Sequence, residues 1–482
     1  MKHLTQKIIN DTKLLVVRDL FSKIIQVPVT IVTARVLGTE DFGLLKMINF
    51  IPSLTKFGGL GLGNVVVREI SDVKIIKSKL LRSFKRDIAF TYTILWALVL
   101  SVIVFYCSLL YDRFEIVWGL RIAAISLFTS QILRLYKVNC KIKKDFKSFA
   151  KSDALAIFVG SVFTLSTIYW FGIFSVLIAS LLGSFVGCLF LQKKVELNFK
   201  PRFQNVELIR QLKIGLPLAM ATLFFGLRGW VERLVLLDIW GLNGLGIFML
   251  SLTGIQVINL FIQNTLQAMT VHVYEKLGSR TGVIDTENIV LRPTLTFAVF
   301  SSLIGPLILI IGPALIKFFL PQYEPIIQFL PWITVIILFN SISSIYLISM
   351  NSVRLSQQVR VIIFQSISIL IFIVFCYLFV GIGYQLDSAI ISKLIADGCL
   401  LVLALFSTKN YLYNNNLKLF INHTSLYLLP FIWSMGSSFI FINLNLYDNI
   451  ATAIILHFIL SIPIIFFWEK RCCILKDFFK LR

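Results

Sequence analysis

Acidic residues are scarce in this chain, and so are the signatures of a soluble enzyme. Only 24 Asp and Glu stand against 46 Lys and Arg, which gives a net charge of +22. The seven cysteines show no CxxC or His–Cys spacing, so they predict neither a metal site nor a redox motif. No GxxxxGK[ST] loop occurs, which argues against an ATP-driven pump. Polar stretches long enough for a soluble domain are also missing, so the basic charge does not indicate nucleic-acid binding.

Apolar residues fill the chain instead, at 57% of the sequence. They recur in stretches that can cross a bilayer core of about 30 Å, for which about 20 helical residues are needed. We therefore predict an all-α polytopic membrane protein with about 14 transmembrane helices, the first of which is an anchor and not a cleaved signal peptide. The predicted spans are 14–34, 43–66, 87–110, 115–133, 153–171, 173–191, 214–237, 244–273, 293–320, 325–349, 361–382, 386–407, 421–443 and 448–468.

The lysines and arginines between the spans fall in alternate gaps. When the N-terminus is placed in the cytoplasm, only Arg35, Arg113 and Lys317 lie on the opposite side. Cytoplasmic loops of membrane proteins are enriched in lysine and arginine, so the pattern predicts that both termini are cytoplasmic.

An internal repeat indicates two related lobes. The segment 37–44 is similar to 240–247, six spans later, and the turn 171–173 recurs as 380–382. Six spans return the chain to the same side, so the two six-helix lobes are expected to be related by an axis along the membrane normal, with two C-terminal helices added. The predicted domains are an N-terminal lobe (1–192), a cytoplasmic interlobe loop (193–213), a C-terminal lobe (214–408) and two extra helices with a cytoplasmic tail (409–482).

Charged residues inside the predicted spans are the first candidates for a site. Each costs about 2.5 to 3.5 kcal/mol at the bilayer centre, so each needs a partner or a wet cavity. Cations outnumber acids among them, and arginine offers a forked donor set that fits phosphate oxygens, so an anionic substrate is indicated. Cations near span ends, namely Arg18, Lys46 and Arg121, are also explained by snorkelling. The predicted diphosphate-binding residues are Arg228, Arg233, Lys23, Lys56 and Lys393, and the in-span acids are Asp19, Glu232, Asp387 and Asp397.

Two pairs of these charges, Arg228 with Glu232 and Lys393 with Asp397, are spaced four apart on a predicted helix, so internal neutralisation is an alternative for each. Carboxamides form a second set, in which those of the eighth span share one helix face. They suit sugar hydroxyls, and the alternative is hydrogen bonding along a helix seam. The predicted cavity-lining residues are Gln26, Asn49, Asn64, Gln256, Asn259, Gln263 and Gln267.

Three segments resemble a known family. The turn 35–43, the glycine-rich 58–64 with its exit at 66–69, and 381–389 resemble the polysaccharide-export branch of the MOP (MATE-like) superfamily, above all bacterial O-antigen (Wzx-type) flippases. The resemblance covers the whole chain in length, span count and lobe boundary. The outer turn 320–323 departs from the family pattern.

This resemblance implies a flippase, not an enzyme, that moves an undecaprenyl-diphosphate-linked oligosaccharide, such as an O-antigen or capsule repeat unit, from the cytoplasmic to the periplasmic leaflet of the bacterial inner membrane by alternating access. Because no ATP-binding loop occurs, any energy source would be an ion gradient with the in-span acids as carriers. We expect no cofactor or metal, and the polymerase and chain-length proteins of the same pathway as partners. A lipid II flippase is an alternative, because it has the same fold and its substrate would also call for cationic residues. A MATE-type antiporter shares the fold, although cationic drugs favour acid-lined cavities, and a membrane glycan polymerase or ligase would need a longer outer loop than any predicted here.

Overall fold

The computed structural model shows an all-helical protein. It describes residues 2–50, 60–63, 65–66, 79–143, 145–194, 199–278, 292–350, 357–412, 417–427, 429–430, 432–433, 436 and 450–472, and within these the side chains of some helical stretches, such as 2–17 and 253–278, are not described. The helices are α1 (Lys2–Ile48), α2 (Lys79–Cys107), α3 (Phe114–Lys143), α4 (Phe146–Phe171), α5 (Ile173–Lys194), α6 (Asn205–Gly278), α7 (Arg292–Phe319), α8 (Leu330–Met350), α9 (Gln358–Gly381), α10 (Asp387–Leu412), α11 (Leu417–Ser425) and α12 (Ile450–Cys472). Among these residues there is no strand, and the predicted all-α class is confirmed.

Ten helical segments of the described residues are long and apolar enough to cross a membrane, judged by length and composition. A helix satisfies its backbone hydrogen bonds internally, which is why apolar segments in a bilayer take this form. The protein is therefore a multi-pass membrane protein, while the count of 14 spans stays a prediction.

Two helices bend at glycines that occupy equivalent places in the sequence repeat. In α1 the bend is at Gly38, with φ 76° and ψ −177°, and in α6 it is at Gly241, with φ 64° and ψ −164°. This region of backbone space is open almost only to glycine. Each bend separates two predicted spans, so the repeated sequence segments share the same backbone geometry.

A second pair of repeated turns matches less closely. Gly172 ends α4 with φ 51°, and α5 starts at the next residue. In the later copy the left-handed residue is Gly383 (φ 101°), two positions beyond the Gly381 that the sequence alignment pairs with Gly172. The later turn is longer, because α10 starts only at Asp387.

The chain divides into two compact units, Met1–Trp230 (unit 1) and Val231–Arg482 (unit 2), at a point within α6. The predicted lobe boundaries remain a prediction. In unit 1, α4 and α3 both pack on α5, α1 packs on α4, and α2 packs on α3. Small residues allow close approach there, since the carbonyl oxygen of Ala156 would lie 2.6 Å from a Cβ built on Gly183.

Unit 2 has its own packing. In it α9 and α8 pack on α10, and α7 packs on α8 and on α12. The hydroxyls of Ser301 and Ser341 are 2.5 Å apart between α7 and α8. His457 of α12 lies with its Nε2 2.9 Å from the carbonyl oxygen of Leu303, which ties the added C-terminal helix to α7. Such polar contacts fix helix positions where lipid offers no hydrogen bonds.

The segment before α6 is docked on α2 within unit 1. The backbone N–H of Arg202 donates to the hydroxyl of Thr91 at 3.0 Å, and the hydroxyl of Tyr92 donates to Asn205 at 2.9 Å. Helix α6 begins at Asn205, well before the predicted start of the seventh span. On its first turn the Arg210 guanidinium, which donates to Glu207 at 2.6 Å, is the main cause that lowers the pKa of that carboxyl.

Candidate functional site

Four polar side chains of unit 2 form two contacts that start one turn apart on α10, and together we call them the unit 2 cluster. Lys393 of α10 donates its ammonium to Glu232 of α6 at 2.6 Å, and the two side chains are only 10% and 5% exposed. One turn after Lys393, Asp397 accepts a hydrogen bond from the amide of Asn340 on α8 at 3.0 Å. The cluster thus joins three helices through one ion pair and one charge-assisted hydrogen bond.

The helices place this cluster far from their ends. Asn340 lies about 15 Å along α8 from its first residue, and Asp397 lies about 15 Å along α10 from its first residue. The carboxylates of Glu232 and Asp397 are both nearly inaccessible, and Asp397 is 1% exposed. Charges at such depth in a membrane protein are costly unless they are paired or functional.

Arg228 and Arg233 lie on α6, on either side of Glu232 in the sequence. Arg228 is buried, at 6% exposure, and Arg233 is half-buried. Arg228 lies one helical turn before Glu232, so the two residues are on the same face of α6. The sequence hypothesis paired Glu232 with Arg228, and the structure adds Lys393 on another helix as a partner of that carboxylate.

Unit 1 holds a second ion cluster, the unit 1 cluster, which sequence reasoning missed. Arg18 of α1 contacts one carboxylate oxygen of Asp153 on α4 at 3.0 Å, and Lys137 of α3 contacts the other. The ring of Phe149 lies beside both cations, 5.2 Å from the Arg18 guanidinium carbon and 5.9 Å from the Lys137 ammonium. Of these residues the sequence analysis had named only Arg18, as a snorkelling cation.

The sequence contains a pattern that places Lys137 on a helix, but the predicted end of the fourth span excluded this residue. The fourth span was predicted to end at residue 133, which assigned Lys137 to a loop, whereas α3 continues to Lys143. A polar stripe of Ser130, Arg134 and Lys137 at helical spacing extends the helix past the hydrophobic stretch.

Other predicted residues have more local partners. Lys23 donates to the side-chain oxygen of Gln26 at 3.1 Å on α1, and both are half-buried. Asn49 is half-buried just beyond the end of α1. Asp387 is the first residue of α10 and is half-buried. The cation Lys46 lies over the ring of Phe42, and Arg121 lies over that of Trp118.

Several predicted residues lie outside what the structure describes. Lys56 and Asn64 are outside the described residues altogether. For Asp19 and for the four carboxamides of the eighth span only the helical backbone is described, so their cavity-lining role stays a prediction: Gln256, Asn259, Gln263 and Gln267. Within the described part of the chain no three His, Cys, Asp or Glu side chains group as metal ligands would.

Residues 31–280 match a family described as "Polysaccharide biosynthesis protein". The chain belongs to this family. The match covers more than half of the 482 residues, including both glycine bends and all of α6. Among curated proteins no match was found.

Solved structures show the same fold. An outward-facing multidrug resistance MATE family transporter of the MOP superfamily superposes with a TM-score of 0.65 at 15% identity, over 84% of this chain and 96% of that chain. An inward-facing one gives 0.63 at 15% identity, over 84% and 98%. A MOP superfamily transporter from Pyrococcus furiosus, described as having a binding pocket whose reverse polarity suggests a different function, gives 0.64 at 15% identity, over 84% and 95%. The chain thus belongs to a polysaccharide biosynthesis family and has the fold of MATE family transporters.

Proposed function

We propose that this protein flips an undecaprenyl-diphosphate-linked oligosaccharide, an O-antigen or capsule repeat unit, from the cytoplasmic to the periplasmic leaflet of the bacterial inner membrane by alternating access. The observation that carries the proposal is a buried arginine, Arg228, in a membrane-spanning helix of a polysaccharide biosynthesis protein with the MOP fold. A cation that is buried in a membrane-spanning helix indicates an anionic cargo, and a diphosphate is the anionic part of a lipid-linked glycan.

The sign of the charge separates this proposal from drug export. MATE-type antiporters share the fold, but a cationic drug would be repelled by Arg228 and Arg233. The Pyrococcus furiosus relative, described by the reverse polarity of its pocket, supports the view that one fold serves cargoes of different charge. A lipid II flippase would carry the same diphosphate, so the glycan distinguishes it from the function we propose.

Ion coupling and sugar binding belong to the same proposal. The in-span acids Asp19, Glu232, Asp387 and Asp397 are the proposed ion carriers, and of these Glu232 and Asp397 are buried in unit 2. The carboxamides would receive the sugar hydroxyls. We propose cytoplasmic termini from the distribution of lysine and arginine, and the polymerase and chain-length proteins of the pathway are the expected partners.

The test is flipping of lipid-linked oligosaccharide in proteoliposomes by Arg233 variants. Arg233→Ala should abolish flipping, whereas Arg233→Lys should keep part of it, because a point cation retains the charge but loses the fork. Arg210→Ala is the matched control, since it removes an exposed arginine from the same helix and should flip normally. Full flipping by Arg233→Ala at normal insertion would remove this residue from the site, and transport of a cationic dye without flipping would favour the antiporter.

A further inference from the structure

We propose that residues 199–213, which we call the linker segment, lie on the cytoplasmic surface of the bilayer, with an apolar face inserted among lipid headgroups of net negative charge. The partner is thus the anionic membrane surface itself. The proposal involves none of the residues of the proposed substrate site. It does not depend on the flippase function, because it concerns lipid contact alone.

One face of the linker segment is fixed to unit 1. Leu208 and Leu212 pack against a buried apolar cluster that includes Phe90 of α2. Gln211 is fully buried, and its amide donates to the backbone carbonyl of Lys85 at 3.2 Å. The two hydrogen bonds to α2 described above hold the start of the segment in the same way. The docked face therefore determines which side chains of the segment point outward.

The outward side of the segment is apolar. Val206 and Ile209, which are 79% and 54% exposed, lie three residues apart on the first turns of α6 and so share one helix face. Phe203, 70% exposed, adds a third large apolar side chain just before the helix. In water such a surface is unfavourable, whereas the boundary between headgroups and acyl chains takes up the apolar face of an amphipathic helix.

Contacts with α2 place this apolar face at the edge of the hydrocarbon core. The hydroxyl of Tyr92 donates to Asn205, and its ring contacts that of Phe203. Tyr92 lies about 29 Å from Leu110, the predicted outer end of the third span, measured along α2 and the 3₁₀ turn that follows it. The hydrocarbon core is about 30 Å thick, so the start of the linker segment lies where the core meets the cytoplasmic headgroups.

Exposed cations flank the apolar face. Lys200 precedes it and Lys213 follows it, and both side chains are exposed. The one acid in the sequence of the segment, Glu207, accepts a hydrogen bond from Arg210 at 2.6 Å. Anionic lipids of the cytoplasmic leaflet attract basic residues near its surface. The charge of the exposed face is therefore complementary to that leaflet.

The depth of a nitroxide label tests the proposal on the full-length protein in nanodiscs of phosphatidylcholine and phosphatidylglycerol. The label is attached to Val206→Cys in a variant whose seven native cysteines are replaced by serine. Collisions of the label with oxygen, which concentrates in lipid, should exceed those with a water-soluble nickel chelate. Gln204→Cys, at an exposed polar residue of the same segment, is the matched control and should collide more with nickel. A label at residue 206 that collides mainly with nickel would place the apolar face in water, where a protein could cover it, and would overturn the proposal.

Hydrogen exchange tests the role of charge without a label. Backbone amides of the linker segment in the wild type should exchange more slowly in nanodiscs that contain phosphatidylglycerol than in phosphatidylcholine alone. Lys200→Gln with Lys213→Gln should lose this difference, whereas Lys193→Gln with Lys194→Gln, which removes two exposed lysines from the end of α5, should keep it. Exchange that does not depend on phosphatidylglycerol, or equal losses in the two double variants, would overturn the proposal. Arg233→Ala should respond as the wild type does even if it fails to flip, so the two proposals are tested separately.

Discussion

The two ion clusters use the same side-chain chemistry in opposite ways. In unit 1 Arg18 and Lys137 contact one carboxylate, Asp153, whose side chain is 18% exposed. In unit 2 the carboxylate of Glu232 contacts the ammonium of Lys393 and that of Asp397 contacts the amide of Asn340, and both carboxylates are at most 5% exposed. Burial decides the role of an ion pair, because a pair near water gains little and exchanges its partners, while a buried pair is costly to break. We therefore expect the ion pair of unit 2 to contribute more to stability than the contacts of Asp153 in unit 1.

The strongest test of this difference between the clusters is to replace the lysine of each one. Lys393→Met should lower the free energy of unfolding by about 3 kcal/mol, because Glu232 loses its ammonium partner in a buried place. Lys137→Met should lower it by about 1 kcal/mol or less, because Asp153 is partly exposed and keeps its contact with Arg18. Chemical denaturation in detergent micelles measures both.

A double variant checks the cause of the larger loss. Glu232→Gln together with Lys393→Met removes both charges and should recover most of the stability that Lys393→Met loses. Equal losses for Lys393→Met and Lys137→Met would mean that burial does not separate the clusters.

The glycine bends allow a second comparison of the two units, in which the expected loss of stability is smaller but the two residues are more closely equivalent. Gly38→Ala and Gly241→Ala should each cost about 1 to 3 kcal/mol, and by similar amounts, since both residues have the same strained conformation and nothing lies within 4 Å of the added Cβ. Gly381→Ala serves as the control, because that glycine also has open space but does not have a left-handed φ. Thermal unfolding of the three variants measures the costs, and a clear difference between Gly38 and Gly241 would contradict the equivalence of the two bends.

The smallest effect is expected for the ion pair on the first turn of α6. The pKa of Glu207 in the folded protein is lowered from the ordinary 4.5, chiefly by Arg210, so the pair stabilises the fold fully above pH 4.5 and is lost as pH falls through the lowered pKa. Arg210 is 43% exposed, which limits the contribution to about 0.5 kcal/mol. Glu207→Gln should therefore match the wild type in stability at low pH and fall slightly below it at neutral pH. A stability difference that is independent of pH would contradict this assignment.

The helical class and the bends at Gly38 and Gly241 could be predicted from sequence, because apolar length and a repeated glycine are local signals. The partner of Glu232 could not be. Residue spacing shows which charges share one helix, and it suggested Arg228, whereas the contact with Lys393 depends on how α6 and α10 are aligned in space. The unit 1 cluster was missed for a related reason, since its three charges come from three helices.

A close backbone contact in unit 1 carries a consequence for natural variation. A Cβ built on Gly61 would lie 2.3 Å from the carbonyl oxygen of Gly215, and one built on Gly215 would lie 2.9 Å from a methyl carbon of Val65. Gly61 also has φ 72°, so two independent constraints exclude a side chain there. Every single-nucleotide missense change at either codon should therefore be selected against, and a relative that has lost one of these two glycines should also have changed the segment that faces it.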